Sequence, residues 1–212
     1  MPLPPEKIKQ VSDLNIDSVL GLVAGLQRQS GDIPWYENGK TDPWDLVESV
    51  MGLNIGGHFE ASRKAFDWLS QNQNPDGSWY SSYQDGVPED RTCETHMACY
   101  IAVGLLHTYL VTRDIEWLRT YWDCMEKGVG FALSLQVETG EIYWAKSPEG
   151  KTDPMSLLAG SSSIFMSLKS AIAVACILGK SRPNWQRSFD LLGRSICNAP
   201  HLYNVSKARD SM

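Results

Sequence analysis

The 212-residue chain contains no run rich in lysine and arginine, and it carries a net charge of −6 with a pI near 5.2. A protein without a basic stripe does not suit a polyanionic backbone, so a nucleic-acid partner is excluded. Its cysteines are odd in number (Cys93, Cys99, Cys124, Cys176 and Cys197) and form no Cys-x-x-Cys pair. They read as reduced, mostly buried thiols of a cytoplasmic protein. Met1–Val11 lacks the apolar stretch of a secretory signal. The longest weakly charged run, Pro154–Gly179, includes Lys169, Gly160 and several serines. That is poor material for a membrane span and better material for a buried core helix. No segment reads as a convincing strand.

What is present is a globular composition, 42% hydrophobic with eight tryptophans. It implies an N-terminal tail over 1–12 and one domain over 13–212. That domain is organised by a threefold pattern. Gln27, Gly31 and Trp35 form Gln-x3-Gly-x3-Trp, as do Gln136, Gly140 and Trp144, and Gln73, Gly77 and Trp79 form the compact Gln-x3-Gly-x-Trp. In each copy the Gln closes a helix-like run and the Gly lies in a turn.

Periodicity predicts helices over 14–29, 42–54, 58–72, 93–111, 114–136, 154–178 and 184–198. Asp42-Pro43 and Asp153-Pro154 both read as helix starts, Asp as N-cap and Pro at the first helical position. The helices over 93–111 and 154–178 are apolar all round, whereas those over 58–72, 114–136 and 184–198 are amphipathic. Such alternation predicts two layers, an outer ring of half-exposed helices around an inner ring. The long connections, Ser30–Asp42, Asn74–Arg91 and Val137–Asp153, all run from outer to inner helices. They must therefore meet at one end, beside the inner-helix N-termini, and long loops in compact domains are usually functional.

These Gln/Gly/Trp copies between helix pairs resemble the QW-type repeats of the terpenoid cyclase and protein prenyltransferase superfamily. More closely, the segment from Ile33 to Asp45 is similar to an uncharacterised bacterial prenyltransferase-like branch. So are Arg91-Thr92-x-Glu94-Thr95, Glu141 to Ala145 and Gly160 to Ile164. The resemblance implies an all-α fold, an α/α toroid. Seven helices are fewer than a closed ring uses, so the expectation is an incomplete toroid of about three and a half hairpins, C-terminally truncated. Its open edge would favour association into oligomers.

Three constellations could carry chemistry. Asp42, Asp45 and Glu48 lie three residues apart and form one acidic helix edge. They read as catalytic acids at the mouth, or as an N-cap, its reciprocal partner and a dipole-complementing Glu. The second set is Arg91, Thr92, Glu94, Thr95 and His96. Thr92 is the expected N-cap, and Glu94 then falls in the first turn of an apolar inner helix. A carboxylate there needs a partner, for which Arg91 is the candidate. Glu94 reads as a general acid or as half of a structural ion pair. His96, Tyr100 and His107 share one stripe, as cavity lining rather than metal ligands, and no metal site is expected.

The third set is aromatic: Trp35, Tyr36, Trp79, Tyr80, Tyr83, Tyr143 and Trp144. Such rings could shield a carbocation, stack on sugars, or clamp their loops to the neighbouring helix. Ser161, in the Gly160-Ser161 motif, joins the substrate-binding candidates. The three long loops hold eleven Asp/Glu against four Lys/Arg. Such an acidic mouth repels a bare diphosphate unless Mg²⁺ or the helix N-termini offset it.

The resemblance implies a transferase or isomerase, prenyltransferase- or terpenoid-cyclase-like, acting on an isoprenoid in a central cavity. Asp42, Asp45, Glu48 and Glu94 would be its acidic end, with Mg²⁺ required if a diphosphate is the substrate. Two departures stand against it. The Asp-x-Asp-Asp acid motif is absent, and the Asp/Cys/His zinc triad has no residue-by-residue match. A second reading is a carbohydrate-active α/α-barrel protein with paired carboxylates of a glycosidase kind. The third is a non-catalytic helical scaffold.

Overall fold

A computed structural model describes residues 15–205. The fold is a partial α/α toroid, mostly helical and in two layers. The inner layer contains α2 (Pro43–Ile55), α4 (Thr95–Thr112) and α7 (Leu158–Ile177). The outer layer contains α1 (Ile16–Leu26), α3 (Phe59–Gln71), α5 (Ile115–Thr120), α6 (Trp122–Leu133) and α8 (Pro183–Asn198). Helix α4 packs between α2 and α7, while α3, α6 and α8 cover α2, α4 and α7 from outside. Small residues allow the close crossings. A Cβ on Gly128 of α6 would meet the Ala98 carbonyl of α4 at 2.4 Å. Helix α7 is long and apolar enough to cross a bilayer, but half of that window is buried within the protein.

The three repeats are one joint built three times. Gln27 Nε2 donates to Gly31 O and, at 2.8 Å, to Ala61 O of α3. Gln73 Nε2 donates to Gly77 O and, at 2.9 Å, to Cys124 O of α6. Gln136 Nε2 donates to Gly140 O and, at 3.0 Å, to Ser188 O of α8. Each glycine has a positive φ (+104°, +91° and +103°) and lies flat on the next outer helix. A Cβ there would meet the carbonyls of Lys64 and Lys127 at 2.2 Å and of Leu191 at 2.6 Å. In every copy the carbonyl touched by glycine is three residues beyond the one bound by glutamine. One amide thus closes its own turn and ties it to the neighbouring hairpin.

The tryptophans are not equivalent. Two residues past the glycine stand Ile33, Trp79 and Ile142, all buried. Trp35 and Trp144 lie two positions further on, where the middle copy has Ser81.

Several expectations are corrected. The long loops contain short strands: β1 (Ser82–Gln84) pairs with β2 (Val87–Asp90), and β3 (Cys93–Glu94), β4 (Ala145–Lys146) and β5 (Thr152–Asp153) form a small antiparallel sheet. These strands are too short to show a period in the sequence. Asp153 belongs to β5, so helix α7 begins only at Leu158. Thr92 does not cap α4; its N–H is held by Asp90 Oδ1 at 2.9 Å, and Glu94 stands in extended backbone before the helix. The single helix expected over 114–136 breaks at Tyr121. There the buried ring stacks on Phe66, and its hydroxyl donates to Asp67 at 2.7 Å. Cys93 is in a strand, and Cys176 and Cys197 are exposed.

Candidate active site

The N-termini of the three inner helices converge on one cavity of about 450 Å³. Helix α2 and its preceding loop bring Trp35, Asp42, Trp44 and Asp45, α4 brings His96 and Met97, and the start of α7 brings Leu157, Ala159 and Gly160. The long loops therefore do meet at one end, as the alternation of layers requires.

Residue Asp42 is the hinge of the acidic wall. It sits in extended backbone as the N-cap of α2, and its Oδ1 accepts from the Asp45 N–H at 2.9 Å. Its Oδ2 accepts from Trp35 Nε1 at 2.5 Å. The residue before it is held twice over. Thr41 exchanges backbone hydrogen bonds with Tyr83, and its hydroxyl donates to Asp32 Oδ2 at 2.8 Å. Asp32 is buried and also accepts from Ser30 and from Arg28 at 2.6 Å, while Arg28 reaches Gly39 O. Burial pushes the Asp32 carboxyl up, but bonds from Ser30, Thr41 and Arg28 and the Arg28 charge outweigh it and hold it below the usual range. The Asp42 backbone is thus fixed by a network that starts at the first repeat.

Asp45 reaches the cleft surface, yet its carboxyl is pushed up to about 6. Partial burial is the main cause, and the Asp42 and Glu48 carboxylates add to it. Glu48 lies one turn further on and accepts a short hydrogen bond from Tyr100. The Tyr100 ring stacks on Trp44 at 3.9 Å, and His96 tilts against the same indole at 5.3 Å. Burial lowers the pKa of His96, against the opposing pull of Glu94 and Asp42.

Glu94 is engaged by Ser81 Oγ at 2.8 Å and lies 3.5 Å from His96 Nε2. The expected partner, Arg91, instead lies over Tyr80 at 5.9 Å. Extended backbone at Glu94 turns its side chain toward the Ser81 strand region rather than along the helix.

The aromatic candidates divide. Trp35 is 52% exposed, with Lys40 Nζ 4.3 Å above its ring. Trp79 is buried, and its Nε1 donates to Leu69 O at 2.8 Å. Tyr83 is buried edge-on against Trp68, and its hydroxyl accepts from Tyr80 N. Trp79 and Tyr83 are core. Tyr36 is exposed on its turn. Trp144 lines a separate hollow with Thr92, Lys151 and Asp153, and Tyr80 and Arg91 line another with Lys146. Tyr143 is half-buried, and its carbonyl accepts from Thr95 Oγ1 at 3.0 Å. Ser161 is buried behind Gly160, its hydroxyl without a partner.

The structure therefore joins Asp42, Asp45, Trp35 and His96 at one cavity and leaves Trp79, Tyr83, Trp144 and Arg91 elsewhere. It adds Trp44, Met97, Leu157, Ala159 and Gly160, of which only Trp44, beside Asp42-Pro43, and Gly160, beside Ser161, stood in motifs the sequence offered. Among the described residues no three His, Cys, Asp or Glu side chains are grouped to hold a metal ion.

A two-layer ring of helix pairs is also the fold of several sugar-processing enzymes of known structure. A D-mannose isomerase matches 93% of this chain with a TM-score of 0.68 at 13% identity, over 53% of its own length. An endo-beta-1,4-glucanase from Acetobacter xylinum matches 86% with a TM-score of 0.61 at 14% identity, over 58% of its length. A glycoside hydrolase family 76 mannosidase from Bacteroides thetaiotaomicron matches 78% with a TM-score of 0.59 at 11% identity, over 47% of its length. At such identities the likeness shows the fold.

In sequence the chain is 38% identical, over 210 residues, to a protein of Mycolicibacterium hassiacum named MMP endo-(1,4)-3-O-methyl-alpha-D-mannosidase. The match covers 99% of this chain and 56% of that protein, so the chain spans about half the length of this relative. No family model matches.

These matches overturn the terpenoid cyclase and prenyltransferase resemblance, and with it the reading as a transferase or cyclase acting on an isoprenoid. The reason is physical. The Gln/Gly joint solves a packing problem common to rings of helix pairs, binding the next hairpin's carbonyls, and it holds no substrate. A motif that makes the ring says nothing of what the ring encloses.

Proposed function

We propose that this chain carries the acidic, aromatic wall of a glycoside hydrolase site, and that the substrate is an internal linkage of a methylated mannose polysaccharide. The observation that carries this reading is the 38% identity to a named endo-mannosidase across 99% of the chain. The cleft geometry agrees with it. Glycosidic bond cleavage needs a carboxylic acid that still holds its proton near neutral pH. Asp45, raised to about 6, meets that need. Trp35 and Trp44 both line the same cavity, and indole rings suit the apolar faces of sugar rings. Asp42 holds both the Trp35 edge and the Asp45 backbone, which sets the acid relative to the platform. The second carboxylate of the mechanism is Asp42 or Glu94.

The test is to incubate the protein with methylmannose polysaccharide and follow chain length by mass spectrometry. Internal cleavage into shorter oligosaccharides is expected. Asp45→Asn should lower turnover by roughly 10²–10⁴. The acid form of Asp45 is needed, so activity should fall as pH rises through about 6. Asp42→Asn and Glu94→Gln identify the second carboxylate. Full activity in Asp45→Asn, or no cleavage of any mannoside, would refute the assignment.

A further inference from the structure

A second cavity, of about 280 Å³, adjoins the first at the mouth. Trp35 and Asp45 line both. Its remaining wall has two characters. Val23 and Leu26 of α1, with Ile33 and Pro34 of the loop, form an apolar side, and Glu48 and Ser49 of α2 form a polar one. Trp35 is held in place as the shared element: its N–H donates to Lys40 O at 2.9 Å, its Nε1 to Asp42, and Lys40 lies over its ring. Asp45 thus borders both cavities, with its carboxyl beside an occupant of either.

We propose that the second cavity is a sugar subsite on the far side of the cleavage point, so that a methylated mannose chain runs through both cavities past Asp45. The inference rests on the carbohydrate reading and goes beyond it, by assigning a binding role to α1 and to Ser49. The divided lining selects the ligand. A sugar unit bearing an O-methyl group can turn its methyl to Val23 and Leu26 and its free hydroxyls to Glu48 and Ser49. Removing one methyl from water against that wall favours binding about fourfold. An unmethylated chain meets the same apolar wall with hydroxyls and gains nothing there.

Calorimetric titration of the full chain carrying Asp45→Asn, which slows turnover, with α-(1,4)-linked 3-O-methylmannose dimers and tetramers tests this. The tetramer should bind at least tenfold more tightly than the dimer, and a tetramer lacking the methyl that faces the second cavity's apolar wall about fourfold less tightly. Ser49→Trp, which fills the second cavity from a half-buried position, should reduce the tetramer to the dimer's affinity and leave the dimer unchanged. Val23→Ser should act in the same direction, more weakly, and circular dichroism melting should show both variants folded. Equal effects on both lengths, or none on either, would overturn the subsite while leaving the carbohydrate reading intact. If neither oligosaccharide binds the Asp45→Asn chain or the unsubstituted one, the carbohydrate reading fails and the subsite with it.

Discussion

Replacing Gly77 by alanine separates two costs that usually arrive together. Gly77 has φ +91°, and an added Cβ would lie 2.2 Å from the carbonyl oxygen of Lys127. Gly86, in the β1–β2 turn, has a similar φ of +78° but nothing within 4 Å of such a Cβ. Left-handed backbone costs an L-residue about 1–2 kcal/mol, and both substitutions incur it. Only Gly77→Ala must also move the loop away from α6, an overpacking cost of about 1–3 kcal/mol. That motion stretches the Gln73 hydrogen bonds to Gly77 O and Cys124 O, each worth about 1 kcal/mol. The expected losses are about 1–2 kcal/mol for Gly86→Ala and about 3–5 kcal/mol for Gly77→Ala. Urea unfolding followed by tryptophan fluorescence measures both. With a slope of about 2 kcal/mol per molar, the Gly77 midpoint should fall by roughly 1–2 M more than the Gly86 midpoint. Equal shifts would mean that the contact with α6 is not what holds the hairpins together.

Two further outcomes follow from the contacts of single residues. Trp79→Phe removes the Nε1 bond to Leu69 O and should cost about 1–3 kcal/mol of stability with sugar affinity unchanged. Trp35→Ala should do the reverse, weakening sugar binding with stability nearly constant; fluorescence titration beside urea unfolding distinguishes them. For Asp32 the folded carboxyl is held below its unfolded pKa of about 3.9. Its stabilisation is therefore present above the unfolded pKa and lost as pH falls through the folded one. Asp32→Asn should destabilise by about 3 kcal/mol at pH 7. The gap between the two proteins' urea midpoints should narrow as pH is lowered from 6 to 3; a constant gap would show that the carboxylate charge is not involved.

Layer order was legible because burial writes itself into periodicity. The apolar-all-round runs became α4 and α7, the amphipathic ones the outer helices, and Asp42-Pro43 opened α2 as its caps required. Asp153-Pro154 carries the same dipeptide but no helix follows for four residues, because Thr152 and Asp153 pair with β4 instead. Local chemistry proposes a cap; a neighbouring strand can claim it first. The Trp35–Asp42–Asp45 cluster was legible in part, since all three belong to one short loop and helix start. Glu94's partners were not, because Ser81 reaches it across the β1 loop and no spacing encodes that contact. The isoprenoid expectation failed for a related reason: the most repetitive feature of the chain, its Gln/Gly joint, ties hairpin to hairpin and does not line the candidate cavity.

The joint also bears on how such rings change size. Each Gln bonds the next outer helix through a backbone carbonyl, and each Gly lies closest to another, so the joint's hydrogen bonds require no particular side chain in the neighbour. A hairpin carrying its own Gln-x3-Gly therefore brings its joint with it, and only the packed faces between hairpins, such as Tyr121 on Phe66, still have to match. Stability then accumulates from neighbour to neighbour, as in repeat proteins. Selection on the loops at the mouth is left free to alter what is bound, with the frame that holds them unchanged.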